Sequence, residues 1–78
     1  MRVHVFHAPR QQRLHAFTAD ETGANLPPPD VGDWKYLKAI DLKPSDARLG
    51  LGTAHDVLRS IEAEGYFLTT AALRLDHY

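Results

Sequence analysis

Residues 20–33, Asp-Glu-Thr-Gly-Ala-Asn-Leu-Pro-Pro-Pro-Asp-Val-Gly-Asp, limit what this chain can fold into more than any other segment. Pro27, Pro28 and Pro29 have no amide proton to give to a helix or a ladder, and Gly23, Asn25 and Gly32 favour turns. The stretch therefore reads as one long loop with a short polyproline II piece. In a chain of 78 residues it leaves room for one small core and no second domain, so residues 1–78 are taken as a single domain. A loop this long is uncommon in a compact domain unless it is functional or packs on the body. Leu26 and Val31 are its candidate anchors, and exposure would instead make it a proline ligand for an aromatic groove.

Regular structure must come from the flanks. Arg2 to His7 alternates Val3 and Val5 with His4 and Phe6, and Leu14 to Ala19 alternates again after Pro9, Arg10, Gln11 and Gln12, which predicts a β-hairpin. A turn centred between Arg10 and Gln11 sets Val5 opposite Ala16, Phe6 opposite His15, His7 opposite Leu14 and His4 opposite Phe17. One face then carries Val3, Val5, His7, Leu14 and Ala16, and the other Arg2, His4, Phe6, His15 and Phe17. Trp34 to Leu42 predicts a third strand, with Trp34, Tyr36, Ile40 and Leu42 on one parity and Leu37 and Ala39 on the other. Residues 44–52 form a connector, with a helical turn possible at 45–49.

The strongest local signal spans Thr53 to Gly65. Thr53 can cap, Ala54, Val57, Leu58 and Ile61 follow helical spacing, and Gly65 suits the left-handed position past a helix end, so a helix is expected at about 54–64. Asp56, Arg59 and Glu62 mark its solvated side. Tyr66 to Leu75 suits a final strand, with Phe67, Thr69, Ala71, Leu73 and Leu75 on one parity. Its last third equally suits a helical turn, and residues 73–78 are the part expected to fray. The order β-β-β-α-β implies a two-layer α+β domain, one amphipathic helix on one face of a mostly antiparallel sheet of three to four strands. A helix of about 11 residues, roughly 16 Å long, cannot cover both faces of such a sheet. The second face needs another cover.

Composition excludes more than it assigns. With no cysteine, the chain has no disulfide, thiolate nucleophile, iron–sulfur cluster or cysteine-based zinc site, and it suits a reducing compartment. His4, His7 and Pro9 interrupt the opening residues, so no signal-peptide core is expected, and a cytoplasmic location follows. Nine Lys and Arg against ten Asp and Glu argue against strong phosphate-driven nucleic-acid binding. The charge is uneven, however: Arg2, Arg10 and Arg13 precede residue 20 with no acid among them, whereas residues 20–78 hold six basic and ten acidic residues.

No constellation of catalytic residues is visible. The serines are Ser45, beside a proline, and Ser60, in the helix, and neither has a nucleophile elbow. Gly50-Leu51-Gly52 lacks the Gly-Lys that a phosphate loop needs. His4 and His7 cannot chelate one ion on a strand, because residues three apart point to opposite faces. His4 and His15 would be diagonal neighbours in the register above, with Asp41 or His77 as distant third ligands. Nothing in the spacing requires such a set, so neither a metal nor another cofactor is expected.

The opening Met1-Arg2 with Val5-Phe6 and Pro9, followed by Phe17, Leu26-Pro27, Trp34, Ile61, Gly65-Tyr66 and Leu68-Thr69, resembles a group of short bacterial proteins that form a domain of unknown function. The resemblance spans about nine tenths of the chain. It implies a similar fold and carries no activity.

The expectation for function is a non-enzymatic interaction module. Its interaction face is formed by His4, Phe6, His15 and Phe17, edged by Arg2 and Arg13, and meets a protein partner or a second copy. The opposing possibility is that residues 20–33, Trp34, or Leu73 and Leu75 fold back over those rings. The alternative function is weak anion or nucleic-acid binding by the N-terminal Arg and His residues, with Phe6 and Phe17 as stacking rings.

Overall fold

In the computed structural model, the described residues are 1–11, 14–45 and 54–70. The order is β1 (Arg2–His7), β2 (His15–Thr18), β3 (Lys35–Asp41), α1 (Ala54–Glu64) and β4 (Tyr66–Thr69). All pairings are antiparallel in one sheet ordered β3-β1-β2-β4, so the α+β architecture expected from the sequence is present. Thr53, the 45–49 turn and every residue beyond 70 lie wholly or partly outside the described residues, as do Gln12 and Arg13.

The hairpin register differs by one residue from the expected one. His4 faces Thr18, Val5 faces Phe17, Phe6 faces Ala16 and His7 faces His15. Pro9 is the cause. Its fixed φ suits the second position of a turn, and the Gln11 amide accordingly donates to the Ala8 carbonyl at 3.0 Å. The Leu14 amide donates to the Gln11 carbonyl at 3.2 Å, and the Ala8 amide closes the hairpin on the Leu14 carbonyl at 3.1 Å. Closure at Ala8 and Leu14 makes a longer loop than a two-residue turn at Arg10 and Gln11. The slip by one carries each β2 side chain to the other face.

Phe17 consequently leaves the Phe6 face. It is fully buried with Val3, Val5, Ile40 and Leu42 against Ala54, Val57, Leu58 and Ile61 of α1. Phe67 of β4 packs its ring on Phe17 at 6.1 Å between centroids. The buried stripe of α1 is the set predicted from its spacing, and the helix stops where expected: Gly65, at φ 92°, donates its amide to the Ile61 carbonyl at 2.8 Å.

β3 departs from simple alternation as well. The register shifts between Val5 and Phe6, which face Lys38 and Tyr36, so Leu37 is the extra residue of a β-bulge. Ile40 therefore faces the helix beside Val3, whereas Tyr36 lies with Phe6 on the other side of the sheet. The single parity expected for Trp34, Tyr36, Ile40 and Leu42 is broken at that bulge.

The loop at 20–33 covers the second sheet face. Leu26 packs with Phe6 and Ala16, and half-buried Trp34 and Tyr66 close over them. The Trp34 indole Nε1 donates to the Pro27 carbonyl at 2.7 Å, fixing the tryptophan to the proline run. Thr18, fully buried, ties the other end of the loop to the helix terminus. Its hydroxyl lies 3.0 Å from the Gly65 carbonyl and 3.1 Å from Asn25 Oδ1, its oxygen accepts from the Asp20 amide, and Asn25 Nδ2 donates to Gly65 O at 2.8 Å. Leu26 is thus an anchor as expected, but Val31 is not, being 45% exposed. Among the described residues, no helix is long and apolar enough to cross a membrane.

Candidate functional site

The residues expected to share one interaction face are divided by the hairpin register. His4 and Phe6 stay together, with exposed Arg2 on their side by strand alternation. Phe17 belongs to the helix-side core, and half-buried His15 lies on the helix side next to His7, with ring centroids 6.4 Å apart and planes at 29°. His15 is therefore neither opposite Phe6 nor diagonal to His4 on one face. Arg13 lies outside the described residues. Phe6 itself is only 6% exposed, since the loop and Trp34 cover it.

The aromatic ring that reaches solvent beside Phe6 is that of Tyr36. Its ring is half exposed, yet it is held from two directions. Its edge-to-face contact with Phe6 has centroids 5.3 Å apart at 88°, and its hydroxyl lies 3.0 Å from His4 Nδ1. The His4 ring is buried and centred 5.9 Å from the tyrosine ring. Next to Tyr36 stands Leu37, 41% exposed at the bulge. Trp34 lies beyond the strand start on the same cluster, and Leu68 is exposed on β4 opposite Ala16. Tyr36, Leu37 and Leu68 escaped the sequence expectation because the alternation of β3 was read through the bulge and the hairpin was paired one residue out.

Asp20 is the charged group at the start of the loop. Asp20 Oδ1 accepts from the Thr22 hydroxyl at 2.7 Å and from the Thr22 amide at 2.9 Å. Those two bonds, with smaller help from the Ala24 amide and the charge of His4 and against a desolvation that opposes them, hold the Asp20 carboxyl below its ordinary 3.8. The pattern is an Asx turn that shapes the loop.

Among the described residues, no group of three His, Asp or Glu is placed to hold a metal ion. A shallow groove of about 340 Å³ between α1 and β4 is lined by Asp56, Arg59, Ser60, Ala63, Glu64 and Phe67, but it brings no histidine to Ser60. Compared with known proteins, the chain matches no family model, no curated protein and no solved structure.

Proposed function

We propose that this chain is a small non-enzymatic interaction module that meets a protein partner through Tyr36 and Leu37 on β3, with a second copy of the chain as the first candidate partner. The observation that carries this reading is an exposed aromatic that is also immobilised. Tyr36 offers half its surface to solvent while Phe6 and His4 fix its ring. An anchor whose rotamer is already set loses little entropy on binding, and tyrosine combines apolar area with a polar tip, as interface residues do. Lys35 and Lys38, together with the bulge, oppose indiscriminate strand addition at this edge, which favours recognition by side chains over backbone pairing. A cytoplasmic, bacterial setting belongs to the same proposal, with the absence of cysteine and the resemblance to short bacterial proteins in support.

Sedimentation velocity over a wide concentration range tests it, with Leu37→Asp as the comparison. The expected outcome is a salt-resistant, concentration-dependent dimer that Leu37→Asp disperses without lowering Tm. A strict monomer at high concentration that also yields no adduct from a photoreactive residue placed at position 37 in cells would overturn it.

A second reading, weak anion or nucleic-acid binding by N-terminal basic residues, draws on Lys35, His7 and His15, which follow one another across β3, β1 and β2. Binding of a single-stranded oligonucleotide that falls steeply with salt would favour it over the first.

A further inference from the structure

The hairpin register that separates His15 from His4 places it directly opposite His7 on the neighbouring strand. Side chains at opposed positions of an antiparallel pair leave the same face with Cβ atoms about 4.5–5.5 Å apart. Both rings are half-buried, so each is partly open to solvent, and they stand nearly parallel, 6.4 Å between centroids and 29° between planes. They also lie on either side of the loop that Ala8 and Leu14 close.

We propose that His7 and His15 form a two-imidazole clamp for a divalent transition-metal ion of the imidazole-preferring class, zinc or nickel among them, with water in the remaining coordination positions. At a metal–nitrogen distance of about 2.0–2.1 Å, two imidazoles on a tetrahedral ion have ring centres about 5 Å apart. The rings must therefore approach by roughly 1 Å and turn about their side-chain bonds so that an in-plane nitrogen of each faces the ion. One nitrogen of each ring suffices for the ion. Lys35 stands opposite His7 on the same side, but it is exposed and its ammonium sits at the end of a flexible chain. The other described histidines are not equivalent: His4 is buried against Tyr36, and His55 is exposed on α1 with no second histidine opposite it among the described residues. Bound metal would cross-link β1 to β2 and so stabilise the hairpin that carries the register.

The test is thermal unfolding of the untagged full chain with zinc chloride up to about 1 mM, reversed by EDTA, with His7→Gln, His15→Gln and His55→Gln beside the parent. At roughly ten-fold excess over Kd, the parent is expected to gain about 5–10 °C in Tm. Each of His7→Gln and His15→Gln should need at least ten-fold more zinc, and His55→Gln should behave as the parent. No rise in the parent, or an equal rise in His7→Gln and His15→Gln, overturns the proposal. Imidazole nitrogen NMR signals of the parent decide the matter if a variant does not fold. The two signals from residues 7 and 15 must shift together on zinc addition, and a shift confined to any other histidine contradicts the clamp.

Discussion

Replacing Gly23 by alanine probes the cover on the second sheet face at a point where the cost can be worked out. Gly23 sits at φ 69°, in the left-handed region, where a side chain costs about 1–2 kcal/mol. A Cβ there would lie 2.8 Å from Phe6 Cζ and 3.0 Å from Cε2, so the phenyl ring or the loop must give way, an overpacking cost of about 1–3 kcal/mol. Restricting the unfolded chain returns about 0.4–1 kcal/mol. The net loss is then roughly 1.5–4 kcal/mol, large against the 3–5 kcal/mol or so expected of a core this size. Gly32→Ala is the control. It bears the same backbone cost at φ 79°, but its Cβ meets Arg10, at 3.0 Å from Cδ, 3.2 Å from Cγ and 3.3 Å from Cβ. The closest atoms belong to the outer part of an exposed side chain that can rotate, and Arg10 Cβ must yield by a few tenths of an ångström at most. Urea unfolding at low temperature, followed by Trp34 fluorescence and far-ultraviolet circular dichroism, gives both values. Gly23→Ala should be the more destabilising by about 1–3 kcal/mol. Equal losses for the two variants would refute the packing of the loop on Phe6.

Two further outcomes follow from the same packing. Phe17→Ala should cost about 3–5 kcal/mol by chemical denaturation, as expected for a fully buried phenyl between sheet and helix, and Leu37→Ser should stay within about 0.5 kcal/mol; similar costs would contradict the separation of the two residues into core and surface. Because Asp20 titrates below its ordinary 3.8 in the folded chain, its contribution to stability is present above that value and is lost as pH falls through the folded one. Asp20→Asn and Thr22→Val should both flatten the decline of Tm between pH 5 and pH 2, and a decline identical to the parent's would exclude the Asx turn as its source.

Much of the fold was legible because it rests on local signals. The apolar spacing of Ala54, Val57, Leu58 and Ile61, with Gly65 behind it, specifies a helix and its end whatever surrounds them. The prolines and glycines of residues 20–33 exclude regular structure just as locally. The surface was less legible, since it depends on counting residues through a turn and along a strand. Pro9 shifts the hairpin by one, and that shift exchanges Phe17 for Ala16 on the Phe6 side. The extra residue Leu37 resets alternation in the middle of β3, which nothing in Lys35 to Asp41 announces. The turn preference of Pro9 was the available clue to the first; the second is a tertiary effect of pairing with β1. The need for a cover on the second face was correctly forced by the length of the helix, and Leu26 and Trp34 supply it.

The register of β1 on β2 decides which aromatic side chains are core and which face a partner, and it can be read directly. Interstrand backbone NOEs on the full chain should connect His4 with Thr18, Val5 with Phe17, Phe6 with Ala16 and His7 with His15. Connections of Val5 with Ala16 and of Phe6 with His15 would instead return Phe6 and Phe17 to one face. They would contradict both the assignment of Tyr36 and Leu37 as the exposed anchor and the pairing of His7 with His15.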